Sequence, residues 1–161
     1  MKPGEAEAMK GFLLSVLAVL AGAVLAVVLV GIGEMVGHVV YPPPPGLVID
    51  IHDPASMKEV MEKIPMGAKA AVVVAWGFAT FAGSWFATWL AAKLSRVSIG
   101  HGIAVGIIIM PATLTTLTMI PHPLWMWLSG PLVVLAGTYL GGVLLGGRKR
   151  GFKPVPVGDL S

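Results

Sequence analysis

Residues 11–33 read GFLLSVLAVLAGAVLAVVLVGIG, 23 positions without a single charge. A helix needs about 20 apolar residues to cross the ~30 Å hydrocarbon core of a bilayer. Three further runs have the same character: 70–92 (23 residues), 102–120 (19) and 124–147 (24). Composition agrees. The chain is 56% hydrophobic and 12% charged, against roughly 25% charged in soluble domains, and its mean hydropathy is +0.86. A soluble fold of 161 residues has too little interior to hide so much apolar surface. The reading is an all-α polytopic membrane protein: a four-transmembrane-helix bundle with a short outer amphipathic helix.

The spans fall at about 12–40, 67–92, 100–120 and 124–147 of a membrane domain covering 1–147, with an outer loop at 42–66. A basic cytoplasmic tail, 148–161, completes the chain. Ala21-Gly22-Ala23 has the small-x-small form of a signal-peptide cleavage site. The apolar run continues well past it, however, and Glu5 and Glu7 precede it, so a retained span is expected. Lys2, Lys10, Lys93, Arg96, Arg148, Lys149, Arg150 and Lys153 fall on one side of the membrane, and only Lys58, Lys63 and Lys69 on the other. With an even number of spans, that bias puts both termini in the cytoplasm. Tyr41, Trp125 and Trp127 then anchor the outer interface, Trp85 and Trp89 the inner one. The basic residues flank spans, so nucleic acid is not an expected partner; the lipid bilayer is. Cysteine is absent, which excludes disulfides, thiolate metal sites and cysteine nucleophiles.

The outer loop opens with a stiff Pro42–Pro45 spacer. Asp53-Pro54 then reads as a helix N-cap followed by proline at the first helical position. Met57, Val60, Met61 and Ile64 follow at helical spacing, so a short amphipathic helix should end before Pro65.

In lipid, helices associate through close backbone approach rather than apolar burial, and small residues mark the contact faces. Ala75, Ala79, Gly83, Ala87 and Ala91 recur every fourth position, and the last span carries Gly137-x-x-x-Gly141. These stripes serve packing within the chain or a homo-oligomer interface. Pro111 should loosen the third span, with Thr113, Thr115, Thr116 and Thr118 bonding the freed carbonyls.

Glu34 is the one acid that interrupts a span, and His38 follows one helical turn later on the same face. Such a pair can share a proton or offer oxygen and nitrogen to a cation. If the hydrocarbon starts near Phe12, Glu34 lies about 4–5 Å beyond it, a water-bathed interfacial residue; a register starting at Leu17 draws it inward. Ile120-Pro121-His122-Pro123 joins the last two spans on the same side, and its prolines fix where His122 points, as a ligand or as a solvated turn residue. Asp50, His52 and Asp53 are accessory candidates, although Asp53 already has a capping role. The methionines clustered on the outer side read as apolar packing. His101, at the inner end of the third span, reads as an interfacial residue rather than a haem ligand.

Glu34-x-x-x-His38, Tyr41-Pro42-Pro43 and Ile120-Pro121-His122-Pro123 resemble a group of short four-span bacterial membrane proteins without assigned function. The resemblance implies the fold and a bacterial plasma membrane, and carries no activity. Three functions compete. The first is an outward-facing Glu34/His38/His122 site for a cation, a proton or a small solute, in a transporter-like or binding subunit. The second is a structural or assembly subunit joined through the small-residue faces. The third is a membrane metalloenzyme acting on lipid, with Glu34, His38 and His122 as ligands and Asp50 or Asp53 as base. An enzyme is the less favoured class. No cofactor is expected, although the donor set admits a divalent metal ion.

Overall fold

The structure, a computed structural model, describes residues 3–42, 53–94 and 99–146. They form α1 (Pro3–Val40), α2 (Pro54–Lys63), α3 (Met66–Leu94), α4 (Ile99–Met119) and α5 (Leu124–Gly146). Gly4–Val40, Met66–Leu94, Ile99–Met119 and Leu124–Leu144 are long and apolar enough to cross a membrane. Their outer surface is the reverse of a soluble protein's. Val24 and Val27 of α1, Val74 of α3, Ile107 of α4 and Leu128 of α5 all stand exposed, as lipid-facing side chains must.

Proline sets the corners. Pro42 cannot follow a residue in helical conformation easily, so α1 stops at Val40. Pro65 precedes α3, and Pro121 and Pro123 separate α4 from α5. In α2, Asp53 caps the helix as its sequence demands, accepting from the Ala55 N–H at 3.0 Å and the Ser56 N–H at 3.2 Å. Its apolar face turns inward, with Val60 buried.

α1 begins nine residues earlier than its apolar run implies. Pro3 suits a first helical position, and no breaker intervenes before Pro42, so the helix propagates through the polar stretch that hydropathy excludes. At 38 residues it is about 57 Å long.

α3 and α4 form the middle pair of the bundle, and each contacts both α1 and α5. An ideal Cβ placed on Gly22 would sit 2.5 Å from the Gly83 carbonyl oxygen and 2.7 Å from the Ala87 Cβ; one placed on Gly33 would sit 2.7 Å from the Ala75 Cβ. α1 and α3 therefore run antiparallel in near backbone contact. The other face of α3 meets α5 in the same way: a Cβ on Gly137 would lie 2.5 Å from the Gly77 carbonyl oxygen. Ala79, Gly83, Ala87 and Ala91 are buried within this packing. Between α3 and α4 the Ser84 hydroxyl donates to the Gly102 carbonyl at 3.2 Å.

α4 passes through Pro111 without ending, and α5 likewise passes through Pro131. The threonines do not rescue the carbonyl that Pro111 frees, that of Ile107. Thr113, Thr115 and Thr116 donate to Ile109, Pro111 and Ala112, and Thr118 to Thr115. A threonine hydroxyl bonds three or four residues back, so only position 110 or 111 could have served Ile107, and these are Met and Pro.

Candidate functional site

The end of the bundle that carries α2 forms a half-open cavity of about 400 Å³. Glu34, Gly37, His38 and Tyr41 line it from α1, and Val60, Met61 and Ile64 from α2 and its C-cap. Ala68, Lys69, Val72 and Trp76 come from α3, and Thr116, Ile120, His122 and Met126 from the α4–α5 corner. Glu34, His38 and His122 thus face one space, although α1 and the corner are far apart in sequence.

The helix register gives their depths. Gly33 lies against Ala75, so Glu34 is level with Val74, five residues and about 7 Å nearer the bundle centre than Lys69. Gly137 packs between Gly77 and Phe81, which puts Trp127 level with Lys69. From there to Trp89 is 20 residues of α3, or about 30 Å, the thickness of the hydrocarbon core. At the far belt the Lys93 ammonium lies 6.0 Å from the Trp89 ring centroid. If these indoles sit at the two interfaces, as tryptophan favours, Glu34 is inside the hydrocarbon by about 7 Å.

The two histidines are held alike. His38 Nδ1 donates to the Glu34 backbone carbonyl at 2.8 Å, and His122 Nδ1 donates to the Ile120 carbonyl at 2.8 Å. A carbonyl has no proton to give, so Nδ1 carries it, and in the neutral ring Nε2 is the acceptor. The His122 N–H also donates to the Ile120 carbonyl at 2.8 Å, a tight turn between two prolines that fixes the ring. His38 Nδ1 therefore engages the main chain of Glu34 rather than its carboxylate. Intrahelical geometry explains it: an i+4 imidazole reaches the carbonyl one turn below it. Among the described residues, neither the Glu34 carboxylate nor the Lys69 ammonium has a hydrogen-bond or ion-pair partner.

Among the described residues, no three His, Asp or Glu side chains come close enough together to hold a metal ion. Glu34 and His38 enter the cavity one turn apart on α1 and His122 enters from the α4–α5 corner, and the three do not form a three-ligand metal set. Asp53 caps α2. Asp50 and His52 lie outside the described residues, as do most of the polyproline spacer, Arg96 and the basic tail.

Sequence reasoning missed Lys69, Trp76 and Thr116. Pairing Gly33 with Ala75 along the small-residue stripes brings Lys69 opposite Val39, beside His38, so that signal was present. Trp76 offered none: it is 4% exposed and reaches the cavity because Gly130 makes room for its ring, a Cβ there lying 2.9 Å from it.

A second cavity of about 400 Å³ lies between α1 and α4 toward the opposite end, lined by Ser15, Val19, His101 and Ile108 among others. His101 is buried at 9% exposure on the α1 side of α4. No family model, no curated protein and no solved structure matches the chain. The architecture defines a small multi-pass membrane protein of helical-bundle type.

Proposed function

We propose that this protein is a solute-binding membrane subunit, transporter-like in build, whose α2-side cavity takes a small amphiphilic molecule. The cavity carries the reading. Its volume of about 400 Å³ falls within the ~300–1,000 Å³ of small-molecule sites, which are mostly apolar with a few placed polar groups. Val60, Met61, Val72, Trp76 and Met126 supply apolar wall, and Glu34, His38, Lys69 and His122 the polar groups. An ionisable side chain at membrane depth normally faces a functional cavity, and in this reading Glu34, which the α1–α3 packing sets level with Val74, is such a residue. In this proposal the chain lies in the plasma membrane with its termini cytoplasmic, following the lysine and arginine bias, and the cavity opens outward.

A solute rather than a bare metal ion is favoured because the three candidate ligands do not converge. Assembly through the small-residue stripe of α3 is disfavoured because α1 already covers it.

The test uses protein in nanodiscs of zwitterionic lipid and the neutral probe 3-phenylpropanol, with empty discs subtracted. Wild-type protein should bind the probe saturably, and Ala68→Trp, which fills the cavity from α3, should abolish binding while leaving the helical content intact. Equal binding by the two proteins, or none by either, refutes the reading.

A further inference from the structure

Resting on that cavity as a binding site, we infer that its ligand class is an organic cation, an ammonium or related donor group attached to an apolar body. The inference follows from which hydrogen-bonding roles remain open on the wall. Both imidazoles have spent Nδ1–H on main-chain carbonyls, at 2.8 Å in each case. Each neutral ring therefore offers only the Nε2 lone pair. Thr116 has likewise committed its hydroxyl proton, donating to the Ala112 carbonyl at 3.1 Å, and retains only acceptor capacity. The Glu34 carboxylate accepts only, and among the described residues nothing donates to it. The sulfur atoms of Met61 and Met126 add weak acceptors.

Against these stand one neutral donor, the Trp76 indole, the interchangeable Tyr41 hydroxyl, and one fixed cationic donor, Lys69. By helix register Lys69 sits about 7 Å nearer the α2 end of the bundle than Glu34, within reach of water for a lysine stem that extends outward. The inner part of the cavity is thus an acceptor-lined, net anionic space with indole and phenol rings at its wall. A cation satisfies all of it: hydrogen bonds to the open acceptors, charge opposite Glu34 and ring faces that attract positive charge. An anion would meet the carboxylate and find no deep charged donor. A neutral alcohol would use one acceptor and leave the carboxylate unpaired.

Three probes of one body separate the alternatives: 3-phenylpropylammonium, 3-phenylpropanol and 3-phenylpropanoate. Each is titrated in mildly alkaline buffer against wild-type protein in zwitterionic nanodiscs, with empty discs subtracted. The ammonium should bind at least tenfold more tightly than the alcohol, and the carboxylate least. Glu34→Gln should bring the ammonium to within about threefold of the alcohol while alcohol binding persists. Lys69→Met, which lies at the mouth and does not depend on the first variant folding, should tighten ammonium binding severalfold.

Equal or tighter binding of the alcohol or the carboxylate to the wild type overturns the inference and leaves the cavity reading standing. So does a preference for the ammonium that survives Glu34→Gln. Weaker ammonium binding in Lys69→Met also overturns it, because that result assigns the lysine a direct role with a zwitterionic or anionic ligand. Failure of all three probes to bind, or binding undiminished by Ala68→Trp, removes the underlying site and this inference with it.

Discussion

Adding one methyl group at Gly83 tests the central seam of the bundle. The ideal Cβ at this position falls 2.5 Å from the Gly22 carbonyl oxygen and 2.8 Å from the Ala26 Cβ. Carbon contacts settle at about 3.5–4.0 Å, so Gly83→Ala must push α1 and α3 apart by about 1 Å. The obstruction is backbone and alanine, with no flexible side chain to move aside. A gap of 0.5–1 Å forfeits a quarter to a half of each dispersion contact of ~0.1–0.2 kcal/mol. Some 20–30 atom pairs along the seam then lose about 1–2 kcal/mol, within the usual 1–3 kcal/mol for overpacking a well-filled interior. At 1.4 kcal/mol per tenfold, 2 kcal/mol is about a 30-fold fall in the folded-to-unfolded ratio. The assay is reversible unfolding in mixed SDS and mild-detergent micelles, followed by helical circular dichroism. Gly31→Ala is the control, since an ideal Cβ there meets nothing within 4 Å. It should be neutral or slightly stabilising, because alanine is the better helix former. A Gly83→Ala protein within about 0.5 kcal/mol of wild type, the ordinary range for surface substitutions, would refute the argument. So would a Gly31→Ala protein that loses as much.

Gly137→Ala should behave like Gly83→Ala in the same titration, since its Cβ would meet the Gly77 carbonyl oxygen at 2.5 Å and the Phe81 nitrogen at 3.0 Å. Thr138 Oγ1 is buried without a hydrogen-bond partner among the described residues, so Thr138→Val should be neutral or stabilising by up to about 1 kcal/mol. A loss of more than that would show that the hydroxyl has a partner. Asp53→Ala removes both cap bonds of α2 and should cost about 1 kcal/mol of local stability. Faster amide exchange at Ala55 and Ser56 reads that loss, and Asp53→Asn should restore protection. The cysteine-free background allows single-cysteine labelling: Glu34→Cys should react with a charged thiol reagent from one side of the membrane only. Val24→Cys, on the lipid-facing surface, should stay inert, and equal reactivity of the two would rule out a wetted cavity around Glu34.

The legible and illegible parts of this molecule divide along one physical line. Apolar runs, prolines and caps act locally, and they were enough to locate α2 with Asp53 as its cap and to place the corner that carries His122. The N-terminal extent of α1 was not legible, because hydropathy reports what lipid accepts whereas helix propagation reports only the absence of a breaker. The candidate site shows the same division. Glu34 and His38 stood out as rare polar groups on one helical face, but their depth depends on how far α1 slides along α3. That slide is set by Gly22 against Gly83 and Gly33 against Ala75, contacts between residues whose only property is being small. Many alanines and glycines in the sequence offer alternative pairings, and each one-turn shift moves Glu34 by about 5.4 Å, enough to carry it most of the way to the interface. The register that seats Gly22 on Gly83 and Gly33 on Ala75 is also the one that sets Glu34 five residues deeper than Lys69. In this fold, therefore, the steric fit of featureless residues decides the electrical character of the cavity, and a methyl group added at Gly33, against the Ala75 Cβ, should disturb ligand binding without touching any polar group.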